Sequence, residues 1–500
     1  MLNVRLAALG LAGLAVGLSL PAWAQEPTPP LAGGPPAEAA IPQPRRAPAP
    51  DVALSPGQVD LLRATLERAP AHGFEPGEFG ERRIDELLDS PDPAERREGE
   101  TRLIAATLRY AKAVKVGRLP EDGFLEEWGL RPAAFDPAPG FVRAAADDRL
   151  QAWLATLPPP YSGYDSLQGG LARYRALAAK GGWKRIPEGE PLQLGSSGAR
   201  VAALRARLAV EDPSVAAGGA TFDAPLHEAV IRAQKRYGLL PDGVVAANTL
   251  TALNLSVERR VEQIVANMER WRWMPAELPA DRVQVNVAAA ILTIFREDKP
   301  VMSMRAVTGR PGDETPLLQS RIHSIVLNPP WNVPTSIATK ELWPKQKANP
   351  GYFAANDFIV IKNDDGSTRL QQKAGDKAAL GRVKFDFANP YGVYLHDTPA
   401  RSKFASYSRL ASHGCVRLEK PVPLAKLLLG GSETWTPEAI EAALEEGKTV
   451  RAQLPRDVTV LLFYWTAYVT PDGQVNFRGD PYGWDKELMQ RIAAGRGVQA

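Results

Sequence analysis

Cys415 is the only cysteine among 500 residues, and it sits in Ser412-His413-Gly414-Cys415-Val416-Arg417. A second histidine, His396, lies nineteen positions upstream in Tyr394-Leu395-His396-Asp397-Thr398-Pro399. A lone cysteine has no partner for an internal disulfide, so its sulfur is either a small buried apolar group or a reactive thiol. Its neighbours favour the second reading. Ser412, His413 and Gly414 are poor core residues, and two imidazoles and the Arg417 guanidinium are groups that lower a thiol pKa or take its proton. The chemistry open to this set is nucleophilic acyl transfer, with Cys415 as nucleophile and His396 or His413 as base. Asp397 suggests a Cys-His-Asp triad, but a neighbour of His396 on a strand faces the other side. A backbone carbonyl or Ser412 is then left to orient the ring. His396, His413 and Cys415 also resemble three zinc ligands. The glycine between two of them disfavours that, so no metal and no other cofactor is expected.

Such a site needs strands and turns to hold it. From residue 281 the chain supplies them. Val283, Val285 and Val287 alternate as in a half-buried strand, and 291–295, 322–327, 393–395 and 458–464 are short β-branched or aromatic runs. The stretch 328–334, with Trp331, is irregular and extended. Residues 335–384 are mixed, with a helical start and polar turns, and a long insertion of this kind is expected to form a lid over a cleft. Tyr394 and Trp331 are candidate cleft walls.

Upstream the pattern is helical. Leu61, Leu62, Leu66, Ile84, Leu87, Leu88, Leu103, Ile104 and Leu108 recur at helical spacing, with Pro and Gly clusters between the segments. A second unit carries Val201, Leu204 and Leu208, then Leu226, Val230, Ala233 and Tyr237, then Thr249, Leu250 and Leu253. Each set falls on one helix face. A further helix begins at Val257, with Val261, Ile264, Val265 and Met268 as its stripe. Trp271 and Trp273 are expected to pack at a domain joint.

The N-terminus reads as an export signal: Arg5, an apolar run over 6–20, and Ala22-Trp23-Ala24 as a cleavage site. The run is short for a membrane span, which needs about 20 residues; an uncleaved inner-membrane anchor is the alternative. Residues 25–50 are Pro/Ala-rich and form a disordered tether. A net charge of +3, with 44% hydrophobic and 23% charged residues, fits a globular protein and gives no argument for nucleic acid.

Residues 192–254 resemble the type 1 peptidoglycan-binding domain. The resemblance rests on Gly195, Gly198, Val201, Leu204, Leu208, Phe222-Asp223, Val230, Gln234, Leu239, Asp242-Gly243, Thr249 and Leu253. From residue 281 to about 470 the chain resembles the L,D-transpeptidase catalytic domain of the YkuD type. His396 followed by Ser412-His413-Gly414-Cys415-Val416-Arg417 matches that signature. Asn267 to Trp273, Asn328 to Pro334 and Tyr391 to Pro399 look like the large periplasmic subgroup, in which a helical scaffold, a binding domain and a catalytic domain with a capping insertion occur together. The fold expected is therefore multidomain α+β, with a mainly-β catalytic domain. The expected boundaries are signal 1–24, tether 25–50, scaffold 51–186, binding domain 187–256, linker helix 257–280, catalytic domain 281–484 with its insertion at 335–384, and tail 485–500.

The resemblance implies a Cys415 thioester with the peptidoglycan tetrapeptide stem and 3→3 cross-linking, with His396 favoured over His413 as base. Ser412, His413, Gly414 and Arg417 are expected to shape the loop and the oxyanion site. Tyr394, Trp331 and Asp397 are the weaker candidates for substrate binding. The implied partners are stem peptides and glycan strands, with peripheral association with the inner membrane or other wall-synthesis proteins left open. The implied location is the periplasm. The alternatives are an L,D-carboxypeptidase or cross-link amidase on the same fold, or a non-catalytic peptidoglycan-binding scaffold.

Overall fold

In the computed structural model, residues 50–216 and 218–499 are described. The expected export signal and nearly all of the tether lie outside them. Helix α1 (Pro56–Glu67) opens on a capping box: the Ser55 side chain accepts from the Gln58 amide, and the Gln58 side chain accepts from the Ser55 amide. Then come α2 (Glu81–Leu88), α3 (Pro93–Val116), α4 (Ala138–Ala146), α5 (Leu150–Ala155) and α6 (Ser162–Ala179). Asp92 caps α3, and Leu103, Ile104, Tyr110 and Val114 of that helix pack with Leu62, Leu66 and Phe74.

The second unit holds α7 (Ala199–Ala209), α8 (Ala224–Arg236) and α9 (Ala247–Asn254). Val201, Leu204, Leu208, Leu226, Val230 and Leu253 face one core, as their spacing requires. Asp223 caps α8, and Gln234 accepts from the Gly243 amide to close the Asp242-Gly243 turn.

Helix α10 (Val257–Trp271) departs from the amphipathic pattern expected of it. Residues 263–271 are buried all round, including Asn267, Glu269 and Arg270. On one side Glu269 pairs with Arg272 at 2.6 Å and Arg118 at 3.2 Å, and Arg272 reaches the His72 carbonyl and the Tyr164 hydroxyl. On the other, Asn267 exchanges hydrogen bonds with Thr466, and Arg270 meets Asp485 at 2.5 Å. Trp273 packs on Trp128 and Phe124, and Trp271 stacks on Trp465. The two tryptophans therefore do pack at a joint.

The strands are β1 (Arg282–Asn286), β2 (Ile291–Arg296), β3 (Lys299–Gly309), β4 (Leu318–Leu327), β5 (Trp331–Asn332), β6 (Phe358–Lys362), β7 (Thr368–Gln372), β8 (Val383–Phe387), β9 (Leu395–His396), β10 (Leu410–Ser412), β11 (Val416–Leu418), β12 (Val450–Phe463), β13 (Ala467–Val469) and β14 (Val475–Phe477). The main sheet runs β10-β3-β11-β9-β8-β4-β12-β1-β2, and β2 also pairs with β3, which closes it on itself. β1 is buried on both faces rather than half-buried, because Arg282 stacks over Phe295 and pairs with Asp298 on the side expected to be open. The insertion is a small body with its own core of Val333, Ala338, Leu342, Phe353, Phe358 and Leu370 beside the sheet β5-β7-β6. Its expected end at 384 runs into β8, which starts at Val383. The stretch expected as a tail is a helix, Trp484–Gln499, with Trp484, Leu488 and Ile492 buried.

Burial pushes the Glu269 carboxyl up, but Arg118, Arg272 and the Arg118 amide outweigh it and hold the pKa below its ordinary value. Its contribution to stability is therefore present above the unfolded value of about 4.3 and lost as pH falls through the folded one. Glu269→Gln leaves buried guanidinium groups uncompensated and should cost about 3–5 kcal/mol. Urea unfolding at neutral pH and at about pH 3, below the ordinary carboxylate value, checks this. The variant's deficit should shrink at the acid end.

Candidate active site

β9 and β11 pair in parallel, with Leu395 opposite Val416 and His396 opposite Arg417. The Val416 amide donates to the Tyr394 carbonyl at 3.1 Å, which sets Cys415 beside β9. The turn from β10 to β11 is pinned at each step. The Ser412 hydroxyl donates to the Cys415 carbonyl at 2.5 Å. Thr315 donates to the Gly414 carbonyl at 2.7 Å, and itself accepts from the Gly309 amide. Gly414 has φ +100°, a conformation side chains disfavour.

Period-two alternation on β9 turns Tyr394 and His396 to one face and Leu395 to the core. Tyr394, His396, Ser412, His413, Cys415, Arg417 and Trp331 all line one cavity of about 560 Å³. Asp397 does not. Its carboxylate lies on the other face, where it accepts from the Arg382 amide at 2.9 Å and from Arg401, so it is no cleft residue. Only its carbonyl bears on the site: it faces His396 Nδ1 at 2.5 Å and fixes the ring. Ser412 does not orient the imidazole, since its hydroxyl is spent on the Cys415 carbonyl.

Both chemical groups rest neutral. Burial, then Arg417, pushes the His396 pKa down to about 3, against the opposing pull of the Asp397 and Leu380 backbone. His396 is only 4% exposed. Burial pushes the Cys415 thiol up, and hydrogen bonds from Tyr394 with the charges of Lys384 and Arg417 offset only part of that. The Tyr394 hydroxyl lies close to the sulfur and to Trp331, and burial, then the Cys415 sulfur, pushes its pKa up. Its ring stands edge-on to His396 at 5.5 Å, and Lys384 Nζ lies 4.3 Å from its centroid. Arg417 Nε is buried and has no partner among the described residues.

The insertion covers the cavity with Pro334, Ser336, Ile337, Lys340, Glu341 and Leu342. Glu341 reaches down to His413 Nε2 at 2.7 Å, and Arg310 holds both, 3.1 Å from His413 and 3.4 Å from Glu341. His413 is thus bound to the lid. Among the described residues, no group of three or more His, Cys, Asp or Glu side chains is placed to hold a metal ion.

Residues 280–440 match the family model described as "L,D-transpeptidase catalytic domain". The chain carries an L,D-transpeptidase catalytic domain. Residues 54–171 match "Scaffold domain" and 197–253 match "Putative peptidoglycan binding domain". A Haemophilus influenzae protein named "Putative L,D-transpeptidase" is 32% identical over 243 residues, which is 45% of this chain and 49% of that protein. The chain thus spans about half the length of that relative. Similar solved structures include an L,D-transpeptidase of Stackebrandtia nassauensis (15% identity, TM-score 0.23, covering 56% of this chain and 96% of that one). Another is an L,D-transpeptidase of Xylanimonas cellulosilytica (18% identity, TM-score 0.17, covering 55% and 99%).

Within the L,D-transpeptidase domain, the sequence motif missed Glu341, Arg310, Thr315 and Lys384. Thr315 and Arg310 come from the β3–β4 connection and Glu341 from the insertion, with no local pattern to flag them. Two outcomes follow from the geometry. Cys415 alkylation by iodoacetamide, read by intact mass, should rise with pH beyond the ordinary thiol value of about 8.5, without an inflection between about pH 5 and about pH 8. High, flat reactivity across that range would mean a preformed thiolate–imidazolium pair. Glu341→Ala should loosen the lid, so that hydrogen exchange of 338–348 quickens while that of β4 stays unchanged.

Proposed function

We propose that this chain is a periplasmic L,D-transpeptidase that forms 3→3 cross-links in peptidoglycan through a Cys415 thioester. The observation that carries the reading is the shared cavity: a buried imidazole and the sole thiol face one covered cleft within the matched catalytic domain. His396 takes the thiol proton as the sulfur attacks the carbonyl of the third stem residue. The bond to the terminal D-Ala breaks, and its amine leaves with the proton from His396. A thioester remains. The side-chain amine of a neighbouring stem then attacks it, the C–S bond breaks, and the thiol is restored as the new peptide bond forms.

Several features support individual roles. With the Gly414 carbonyl held by Thr315, the planar peptide points the Cys415 N–H the opposite way, where it serves as an oxyanion donor. The unpaired Arg417 Nε–H suits a stem carboxylate. The Tyr394 hydroxyl steadies the developing thiolate. His413, already held by Glu341 and Arg310, serves the lid and leaves the base role to His396.

The test is incubation of disaccharide-tetrapeptide with the mature protein, followed by mass spectrometry. Cross-linked dimer with release of D-Ala is expected, and hydrolysed tripeptide alone would replace transfer by carboxypeptidase action. Cys415→Ala should abolish both products. His396→Ala should slow thioester formation by about 10²–10⁴-fold, whereas His413→Ala should cost less. A larger loss in the His413 variant would overturn the assignment of the base.

A further inference from the structure

A second cavity, of about 310 Å³, lies where the three-helix unit, α10 and the C-terminal segment meet. It shares no lining residue with the Cys415 cleft. Arg260, 3% exposed, lines it, with its guanidinium over the stacked pair of Tyr237 at 4.6 Å and Phe477 at 4.5 Å. Arg260 donates to Gln263 at 2.9 Å and to the Ala252 carbonyl at 2.7 Å, but its Nε–H is buried without an acceptor.

The lining carries the cations Arg259, Arg260, Arg478 and Lys486 against the carboxylates Glu262, Asp480 and Asp485. Among the described residues, Arg260, Arg478 and Lys486 have no carboxylate partner, and all three line the cavity. The acids beside them are already engaged. Glu262 is paired with Arg259, Asp485 with Arg270 at 2.5 Å, and Asp480 accepts from the Tyr464 hydroxyl at 2.7 Å and the Asp485 amide at 3.0 Å. The nearby buried Glu211 serves Arg207 at 2.7 Å and Arg236 at 3.7 Å. Arg260 thus shares the charge of Glu211 with Arg207 and Arg236 and touches no carboxylate itself, and an entering carboxylate would add a direct charge-assisted hydrogen bond. At the rim, Tyr407 is 48% exposed and offers a flat face for a sugar ring or peptide plane. The volume suits a small ligand rather than a whole strand.

We propose that this cavity is a second binding site, taking a carboxylate-bearing fragment of peptidoglycan. The inference rests on the reading that the chain works on peptidoglycan. The carboxylate has two sources, the stem peptide or the muramic acid of a peptide-free glycan. Tyr407 stands on the segment joining His396 of β9 to Ser412 of β10, so the occupant touches the chain that carries the reaction centre.

Calorimetric titration of the full chain carrying Cys415→Ala tests the site. The ligands are the free stem tetrapeptide, peptide-free N-acetylglucosaminyl-N-acetylmuramic acid, and an uncharged N-acetylglucosamine oligomer. One carboxylate ligand should bind saturably, and the arm that binds names its source. Two added substitutions avoid the buried arginine: Lys486→Glu reverses charge at the cavity, and Ala252→Trp fills it. Each should weaken binding by at least about tenfold, the scale of one charge-assisted contact. Equal binding by the uncharged oligomer, no binding by either acid, or no effect of both substitutions overturns the site. Carbapenem acylation of Cys415 in the unsubstituted chain reports separately on the proposed function, so either reading can fall alone.

Discussion

Glu269 lies wholly out of water in the last turn of α10, and its pairing reaches distant parts of the chain. Arg118 follows α3, and Arg272 bonds in turn to His72 and Tyr164. Within the same turn, Asn267 and Arg270 tie the helix to Thr466 and Asp485. A buried charge tolerates little misplacement, because each ion left unpaired loses solvation it cannot recover. The helical N-terminal region and the β sheet are therefore held in one relation by polar contacts that specify geometry, while the surrounding tryptophans supply apolar burial.

That fixed relation reaches the cleft. The Glu127 carbonyl, between α3 and α4, accepts from the Leu317 amide, and the neighbouring Glu126 carbonyl accepts from the Tyr391 hydroxyl. Tyr391 lines the Cys415 cavity, and Thr315, two residues before Leu317, holds the Gly414 carbonyl. The N-terminal helices thus brace two points of the site from outside. The insertion braces a third from above through Glu341.

The electrostatics around Cys415 and His396 disfavour charge on both groups. Desolvation disfavours charge on both the thiol and the imidazole, so the resting pair is neutral, and the attack proposed for Cys415 would have to move its proton to His396 at the same time. Arg417 and Lys384 favour the thiolate and disfavour the imidazolium. The acid and the base therefore share cations but respond to them in opposite ways.

The sequence by itself disclosed the succession of helical and β regions and singled out Cys415 and His396 as candidates. Cys415 and His396 were legible because their types and spacing are rare, and the helices were legible because apolar residues recur at 3.6. The strand period of two is also enough to turn Asp397 away from the face that carries His396. Other features belong to the tertiary structure alone. The burial of β1 on both faces depends on Arg282 folding over Phe295, and the interior of α10 is polar because its partners arrive from remote segments. Glu341, Arg310 and Thr315 joined the site the same way, brought to Gly414 and His413 by strand pairing and by the lid. Local pattern reports which face of an element avoids water. It cannot report which distant group will meet that face, because that is set by closure of the sheet and the packing of the whole chain.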